Sequence, residues 1–402
     1  MKKKKILFLF NNVDHFRLSS SLNVGPVDGG TNILLNFINR LERGYEVYIS
    51  TQRGNKKRYE FILNNPQAKF FEFKPFYDYI KIKISFLEIL LRAFLLPFKL
   101  ISQFRNVDIV VSSSDFWPDS CPALFLKMIN SKIFWIAGFF LTAPPPWRSP
   151  YRGRRFLTGL FYWLSQIPVF WLVKKYADVV LVTSEPDVEK FITPQRGRNR
   201  IIVMMGGVDI KPSTKYLNSP DFVPLKKRKY DACFMGRFHY QKGVLELVDI
   251  WKEVIKKIPG AKLAMIGDGD LYFECKKKIK ALHLENNIDL LGFKEGPEKY
   301  AVFKQSKIIV HPAIYDSGGM SAAEGMAWGL PGVSFDLEAL KSYYPEGMIK
   351  VPCFDKKEFA EAIVRLLKDR KLYNKFARRA RDLIVRNWRW DIRLKTLYEI
   401  IN

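Results

Sequence analysis

The stretch HPAIYDSGGMSAAEGMAWGLPGV, residues 311–333, decides how this chain is read. The apolar run KIIVHPA leads into it, and the adjacent glycines Gly318 and Gly319 stand between one acid, Asp316, and a second, Glu324. Glycine has no Cβ, so the backbone there turns sharply and lets a ligand come close. Met320 to Trp328 reads as a short helix, because Met, Ala and Glu favour that state and Gly329 with Pro331 ends it. The amides of Gly319, Met320 and Ser321 then coincide with the positive end of the helix dipole, a place that attracts anions and phosphate above all. An ordinary turn leading into a helix shows the same glycines, so the surrounding sequence must distinguish the two.

Outward from this stretch, apolar runs alternate with helical patterns. In the second half YDACFMGR, AKLAMIGDGD, IDLLGF, KIIVHPA and PGVSFD read as strands, and helices fall at about 244–258 and 271–283. In the first half KILFLF is followed by GPVDGGTNILLNFINRLERG, where Leu34, Leu35, Phe37, Ile38 and Leu41 form a helical stripe. YEVYIST, VDIVVSSS (107–114), KIFWIAGFF (132–140) and ADVVLVTSE (177–185) are further strands. Strands alternating with helices call for parallel sheets covered on both faces. NSPDFVPLKKRKY (218–230), with two prolines and a basic cluster, reads as a linker. The expected architecture is α/β: two doubly wound Rossmann-like domains, residues 1–217 and 218–385, facing across a cleft, with ligands at the carboxyl ends of the strands.

Composition narrows the partners. The 402 residues carry 66 Lys and Arg against 40 Asp and Glu, a net charge of +26, so the chain draws polyanions: nucleic acid, anionic lipid or phosphorylated small molecules. Hydrophobic content of 48% excludes a disordered chain. Cys121, Cys233, Cys275 and Cys353 match neither a disulfide framework nor a zinc pattern, which favours reduced thiols in the cytosol. The four histidines, His15, His239, His283 and His311, are too scattered to suggest a metal site. MKKKKILFLFNN imitates a signal peptide, but its apolar run stops at Phe10 with no small-residue cleavage site, so it reads as a first buried strand.

Two segments break the globular pattern. FLTGLFYWLSQIPVFWLV, residues 156–173, contains no charge; Arg148, Arg152, Arg154 and Arg155 precede it, and Lys174 and Lys175 follow. Between Lys69 and Arg105 aromatic and aliphatic residues interleave with basic ones. A spanning helix needs about 20 apolar residues, and Thr158, Ser165, Gln166 and Pro168 dilute this run. The expectation is a helix lying in a membrane interface, with residues such as Phe161 and Trp163 toward lipid and the arginines on anionic headgroups. Burial inside the first domain and membrane spanning are the alternatives.

In GRFHYQKG, Arg237 follows Gly236 at a strand end, and Lys242 lies in the loop opening the next helix. A planar guanidinium and a mobile ammonium, with the amides at 319–321, suit a diphosphate without a metal ion. Arg and Lys are also common at strand ends in a chain this basic. At this point the sequence resembles the retaining glycosyltransferases of family 4, which have the GT-B fold. GRFHYQKG is similar to that family's G-R-x(n)-K-G, DSGGMSAAEGMAWGLPGV to its E-x7-E stretch, and GPVDGGTNILL to its N-terminal glycine loop. IGDGDL, ADVVLVTSE and MMGGVDI match further motifs in order, and NWRWDIRLKTLYEII resembles the terminal helix, here 386–402, that crosses back to the first domain.

The resemblance implies transfer of a sugar from a nucleotide diphosphate sugar with retained anomeric configuration. Arg237 and Lys242 would bind the diphosphate and stabilise the leaving group, the largest catalytic effect to expect. Glu324 would accept hydrogen bonds from the ribose, and Asp316 would orient the donor sugar with the amides near Gly319 and Met320. Gly29 and Gly30 would let the first domain's backbone close over the donor, and Gly292 and Phe293 sit where the family's backbone contacts the base. The resemblance implies no metal or cofactor, and it points to no enzymic nucleophile. The acceptor inferred from the aromatic and basic segments is a lipid-linked saccharide at the cytoplasmic face of a membrane, with the protein peripherally bound to an anionic surface. Two departures stand out. The first acid is Asp316 where glutamate is usual, and no histidine occurs about Gly138, where the family often has one; Asp115 and Asp119 are only loose substitutes. The alternatives are a nucleotide-sugar epimerase of the same fold and a basic nucleic-acid-binding protein, for which no recognition module is visible.

Overall fold

The computed structural model describes residues 3–11, 29–41, 44–52, 55–63, 65–73, 85–147, 153, 156–316 and 318–401. Among these, Gly206–Lys395 form one compact unit, and the residues before Gly206 together with those after Lys395 form the other. The boundary read from the sequence at 217/218 falls later than this one. Helix Lys211–Leu217 belongs to the second unit, where Arg381 Nη1 donates to Ser213 Oγ at 2.9 Å.

The first unit is built on seven strands: β1 (Lys4–Phe10), β2 (Tyr45–Gln52), β3 (Lys69–Phe73), β4 (Ile109–Ser112), β5 (Phe134–Gly138), β6 (Val179–Val182) and β7 (Ile201–Val203). All run parallel in the order β3-β2-β1-β4-β5-β6-β7. Ile6 to Phe10 are all buried, as a strand covered on both faces requires, which is why KILFLF shows no alternation. Part of the basic and aromatic segment from Lys69 is thus an edge strand, and another part is helix Ser85–Phe104. The expected helix 386–402 is instead three pieces, Arg370–Asn387, Trp390–Arg393 and Lys395–Ile401. The first break falls where Trp388 buries against Tyr344, ring centroids 5.2 Å apart and stacked. Trp388 also gives its carbonyl to the Val208 amide at 2.6 Å. The last piece does return to the first unit, where Tyr398 packs 4.9 Å from Phe37.

The second unit holds β8 (Tyr230–Met235), β9 (Leu263–Ile266), β10 (Ile288–Gly292), β11 (Ser306–His311), β12 (Gly332–Phe335) and β13 (Met348–Val351), again all parallel, in the order β10-β9-β8-β11-β12-β13. Successive strands are added in one direction from β8 and then in the other from β11, so the sheet has its switch point between these two. Helix Val244–Lys257 covers the sheet with Val244, Leu247, Val248, Trp251 and Val254, a stripe at 3.6-residue spacing. Trp251 and Val254 are fully buried, each such side chain contributing about 1.5–3 kcal/mol. Both units thus have the doubly wound organisation expected from the sequence.

Candidate functional site

The stretch that opened the reading lies at the switch point of the second sheet. β11 ends at His311, and the chain passes through Asp316 to Gly318 and Gly319 before helix Met320–Ala327 starts. Gly319 has φ +57, the left-handed region that glycine enters without steric cost, and it forms the N-cap. Tyr344 fixes this turn: its hydroxyl donates to the Gly319 carbonyl and accepts from the Ala323 amide at 3.1 Å. The amides of Gly319, Met320 and Ser321 are left without acceptors among the described residues, as at any open helix start. Burial, then the nearby Asp316 charge, pushes the Tyr344 phenol well above its ordinary pKa, so it remains a neutral bridge.

Asp316 is almost fully buried. Its Oδ2 accepts from Lys242 Nζ at 2.6 Å and lies 3.1 Å from His311 Nε2, and its Oδ1 accepts from the Gly318 amide at 3.3 Å. Burial by itself would raise the Asp316 pKa, but the Lys242 charge and then the His311 contact outweigh it and hold the carboxyl well below its usual range. Lys242 closes a 3₁₀ turn, Tyr240–Lys242, and is followed by Gly243 at φ +64. A Cβ on Gly243 would lie 1.9 Å from the Pro312 carbonyl oxygen, and this close approach brings the Lys242 turn onto the end of β11.

Arg237 follows β8 after Gly236, across the switch point from His311, and is half-buried. The loop bearing it is braced by Gly267, φ +143, whose missing Cβ leaves room for the Gly236 carbonyl, and by Phe238, whose amide donates to the Asp268 carbonyl at 2.8 Å. Glu324 stands on the helix that starts at Met320, and its Oε2 lies 2.5 Å from Lys299 Nζ. Gly292 ends β10 at φ +68 with open space where a Cβ would be, and Phe293 is half-buried. Met320 packs its thioether on Gly206, and Trp390 packs on Gly207, which accounts for the glycine pair in MMGGVDI.

The structure therefore brings Lys242, Asp316 and Gly318 together in direct contact, with Arg237, Gly319 and the amides of Met320 and Ser321 at the same carboxyl end of the central strands. It adds three residues that the sequence reading did not assign to a site. His311 precedes Asp316 by only five positions, a proximity that offered a signal. Lys299 lies 25 positions from its partner Glu324, and Tyr344 lies 21 and 25 positions from Ala323 and Gly319, so local spacing gives no hint of them.

In the first unit Gly29 and Gly30 form the first turn of helix Gly29–Ile38 rather than a loop. Gly30 packs on the Phe140 ring, 2.3 Å from where a Cβ would be. A Cβ at Gly138 would lie 2.9 Å from the Phe140 ring and 3.0 Å from the Ser112 and Ser113 carbonyls, so the position where the family often has a histidine is tightly packed. Asp119 is consumed by internal bonds from the Asn11 amide (2.6 Å), Ser113 (3.0 Å) and Ser114 (2.5 Å). Asp115 accepts from Gln166 Nε2 at 2.7 Å.

Gln166 belongs to helix Phe156–Tyr176, which is long and apolar enough to cross a membrane by length and composition, though only 22% of its most apolar window is buried. Phe161 is 60% exposed and Trp171 61%, while Trp163 is half-buried against Trp147. The neighbouring helices Ser85–Phe104 and Trp117–Ile129 expose Phe94, Phe98, Phe125, Met128 and Ile129. Arg148, Arg152, Arg154 and Arg155 lie outside the described residues. Among the described residues no cluster of three metal-ligating side chains occurs.

Residues 218–383 match the family model described as Glycosyl transferases group 1, in agreement with the resemblance to the family 4 enzymes. The chain is 26% identical over 164 residues to poly(glycerol-phosphate) alpha-glucosyltransferase of Bacillus subtilis, covering 40% of this chain and 24% of that protein. It is 27% identical over 177 residues to phosphatidyl-myo-inositol mannosyltransferase of Mycobacterium leprae, covering 42% of this chain and 46% of that one. The chain thus spans less than half the length of either relative. Over 99% of both chains it is similar to Anabaena HepE in complex with UDP and glucose, with a TM-score of 0.73 and 15% identity. The whole chain has the GT-B fold.

Proposed function

We propose that this protein is a retaining glycosyltransferase that moves a sugar from a nucleoside diphosphate sugar to a lipid-linked saccharide or glycolipid precursor at the cytoplasmic face of a membrane. The observation that carries this reading is the cluster at the β8/β11 switch point, where the Arg237 loop, the Lys242 ammonium and a helix start with open amides lie at the carboxyl ends of the central strands. Such a cluster suits two phosphates that gain charge as a glycosidic bond breaks, and it acts without reorganising because the turns that carry it are already fixed. Departure on one face of the sugar lets a leaving phosphate oxygen take the acceptor's proton, so retention needs neither an enzymic base nor a metal ion. Asp316 takes part by holding Lys242 in place, and Glu324 by accepting from the ribose hydroxyls.

The relatives named above are a glucosyltransferase and a mannosyltransferase, and the similar solved structure binds UDP and glucose, all consistent with such a donor. The mannosyltransferase's acceptor, phosphatidyl-myo-inositol by its name, and the exposed apolar side chains of helix Phe156–Tyr176 support an acceptor carried in lipid. Thermal-shift screening against nucleoside diphosphate sugars identifies the donor, since a ligand that binds only the folded state stabilises it. With that donor, Arg237→Ala and Glu324→Ala abolish transfer while the protein stays folded; wild-type rates in either variant refute the assigned site.

A further inference from the structure

Glu324 does not stand alone on its helix. Lys299 from helix Gly296–Lys304 reaches its Oε2 at 2.5 Å, and the lysine side chain is only 14% exposed, against 28% for the glutamate. No other hydrogen bond to either Glu324 oxygen occurs among the described residues, so Oε1 and the free side of Oε2 can each accept a donor. Glu295 adds a second negative charge near Lys299. Tyr300 beside the lysine is itself fixed, its ring 5.1 Å from that of Trp328.

A free glutamate on a helix surface samples several rotamers, and covering it with a nucleoside removes water from an uncompensated charge. A buried ammonium on one oxygen removes both costs: it fixes the plane of the carboxylate and compensates its charge when water leaves. A vicinal diol presents two O–H donors that a carboxylate fixed in one plane can accept together. Resting on the ribose reading of Glu324 above, we propose that Lys299 is a positioning residue that presets Glu324 for a ribose 2′,3′-diol and so makes the site selective for ribonucleotide over deoxyribonucleotide donors.

The test is isothermal titration of UDP, GDP and ADP, followed by the 2′-deoxy and 2′,3′-dideoxy counterparts of the tightest binder, on wild type, Lys299→Met and Lys299→Arg. Wild type should prefer the ribonucleotide by about tenfold or more, the value of a hydrogen bond to a charged group. Lys299→Met, similar in volume, should lose about tenfold on the ribonucleotide and nothing on the dideoxy form, and Lys299→Arg should regain most of the loss. In transfer assays Lys299→Met should raise the donor KM and leave kcat unchanged. Equal losses on both nucleotides, or discrimination as in wild type, would overturn the positioning role while leaving the ribose reading intact. A wild type that does not discriminate at all would overturn both.

Discussion

Replacing Asp316 with asparagine removes a charge and little else. The amide keeps an oxygen for the Gly318 amide, which Asp316 Oδ1 now holds at 3.3 Å, and it has the same shape. The change leaves Lys242 with its ammonium beside a neutral group, although its 2.6 Å partner was a carboxylate and its side chain is only 23% exposed. Breaking a buried pair from one side costs about 3–5 kcal/mol. The residual exposure of Lys242 places this case at the low end, about 3 kcal/mol. For a unit of 150–250 residues each kcal/mol moves Tm by about 2–4 °C, so Asp316→Asn should melt about 6–12 °C below wild type at pH 7. The pH dependence follows from the carboxyl being held well below its ordinary 3.8. A depressed carboxyl stabilises the fold above its unfolded value and loses that contribution as pH falls from about 4 toward the folded value. The gap between wild type and variant should therefore be full above about pH 5 and close as the buffer is taken below 4. A nucleoside diphosphate should also raise the variant's Tm less than the wild type's, because Lys242 has lost the carboxylate that holds it in place for phosphate. The assay is differential scanning calorimetry with and without nucleotide. A variant melting within about 2 °C of wild type at pH 7, less than 1 kcal/mol, would refute the reasoning.

Three further outcomes are expected. Gly243→Ala forces a Cβ against the Pro312 carbonyl at a left-handed φ and should cost about 3 kcal/mol or more, read as a lower midpoint in urea with unchanged slope. Tyr344→Phe deletes the hydroxyl that joins the Gly319 carbonyl to the Ala323 amide and should cost about 1–3 kcal/mol, while weakening nucleoside diphosphate binding measured by titration. Trp171→Glu, and separately Phe161→Glu, should cut sedimentation with phosphatidylglycerol-containing vesicles several-fold and leave nucleotide binding unchanged; retained vesicle binding in both would remove the membrane reading of helix Phe156–Tyr176.

What was legible in the sequence follows from what is local. KILFLF and KIIVHPA are unbroken apolar runs because β1 and β11 are buried on both faces, and a run of that length bounded by polar residues has few other readings. The glycine pair before Met320 was legible because a left-handed N-cap needs glycine. Pairings across the chain were not. Lys242 and Asp316 are 74 positions apart and Gly319 and Tyr344 are 25 apart, and nothing in either segment names the other. Gly30 shows the same limit: in sequence it belongs to a glycine loop, yet it lies in the first turn of a helix and packs on Phe140, 110 positions away. The break at Trp388 was hidden too, since it comes from partners distant in sequence: the buried stack on Tyr344 and the Val208 amide that donates to the Trp388 carbonyl.

The central claim is that a diphosphate lies at the β8/β11 switch point of the second unit, and a crystal structure with the donor's nucleoside diphosphate tests it most directly. Phosphate oxygens within hydrogen-bond reach of Arg237, Lys242 and the amides of Met320 and Ser321 are the predicted result. Phosphates bound anywhere else on the chain, with those groups still facing solvent or one another, would contradict it.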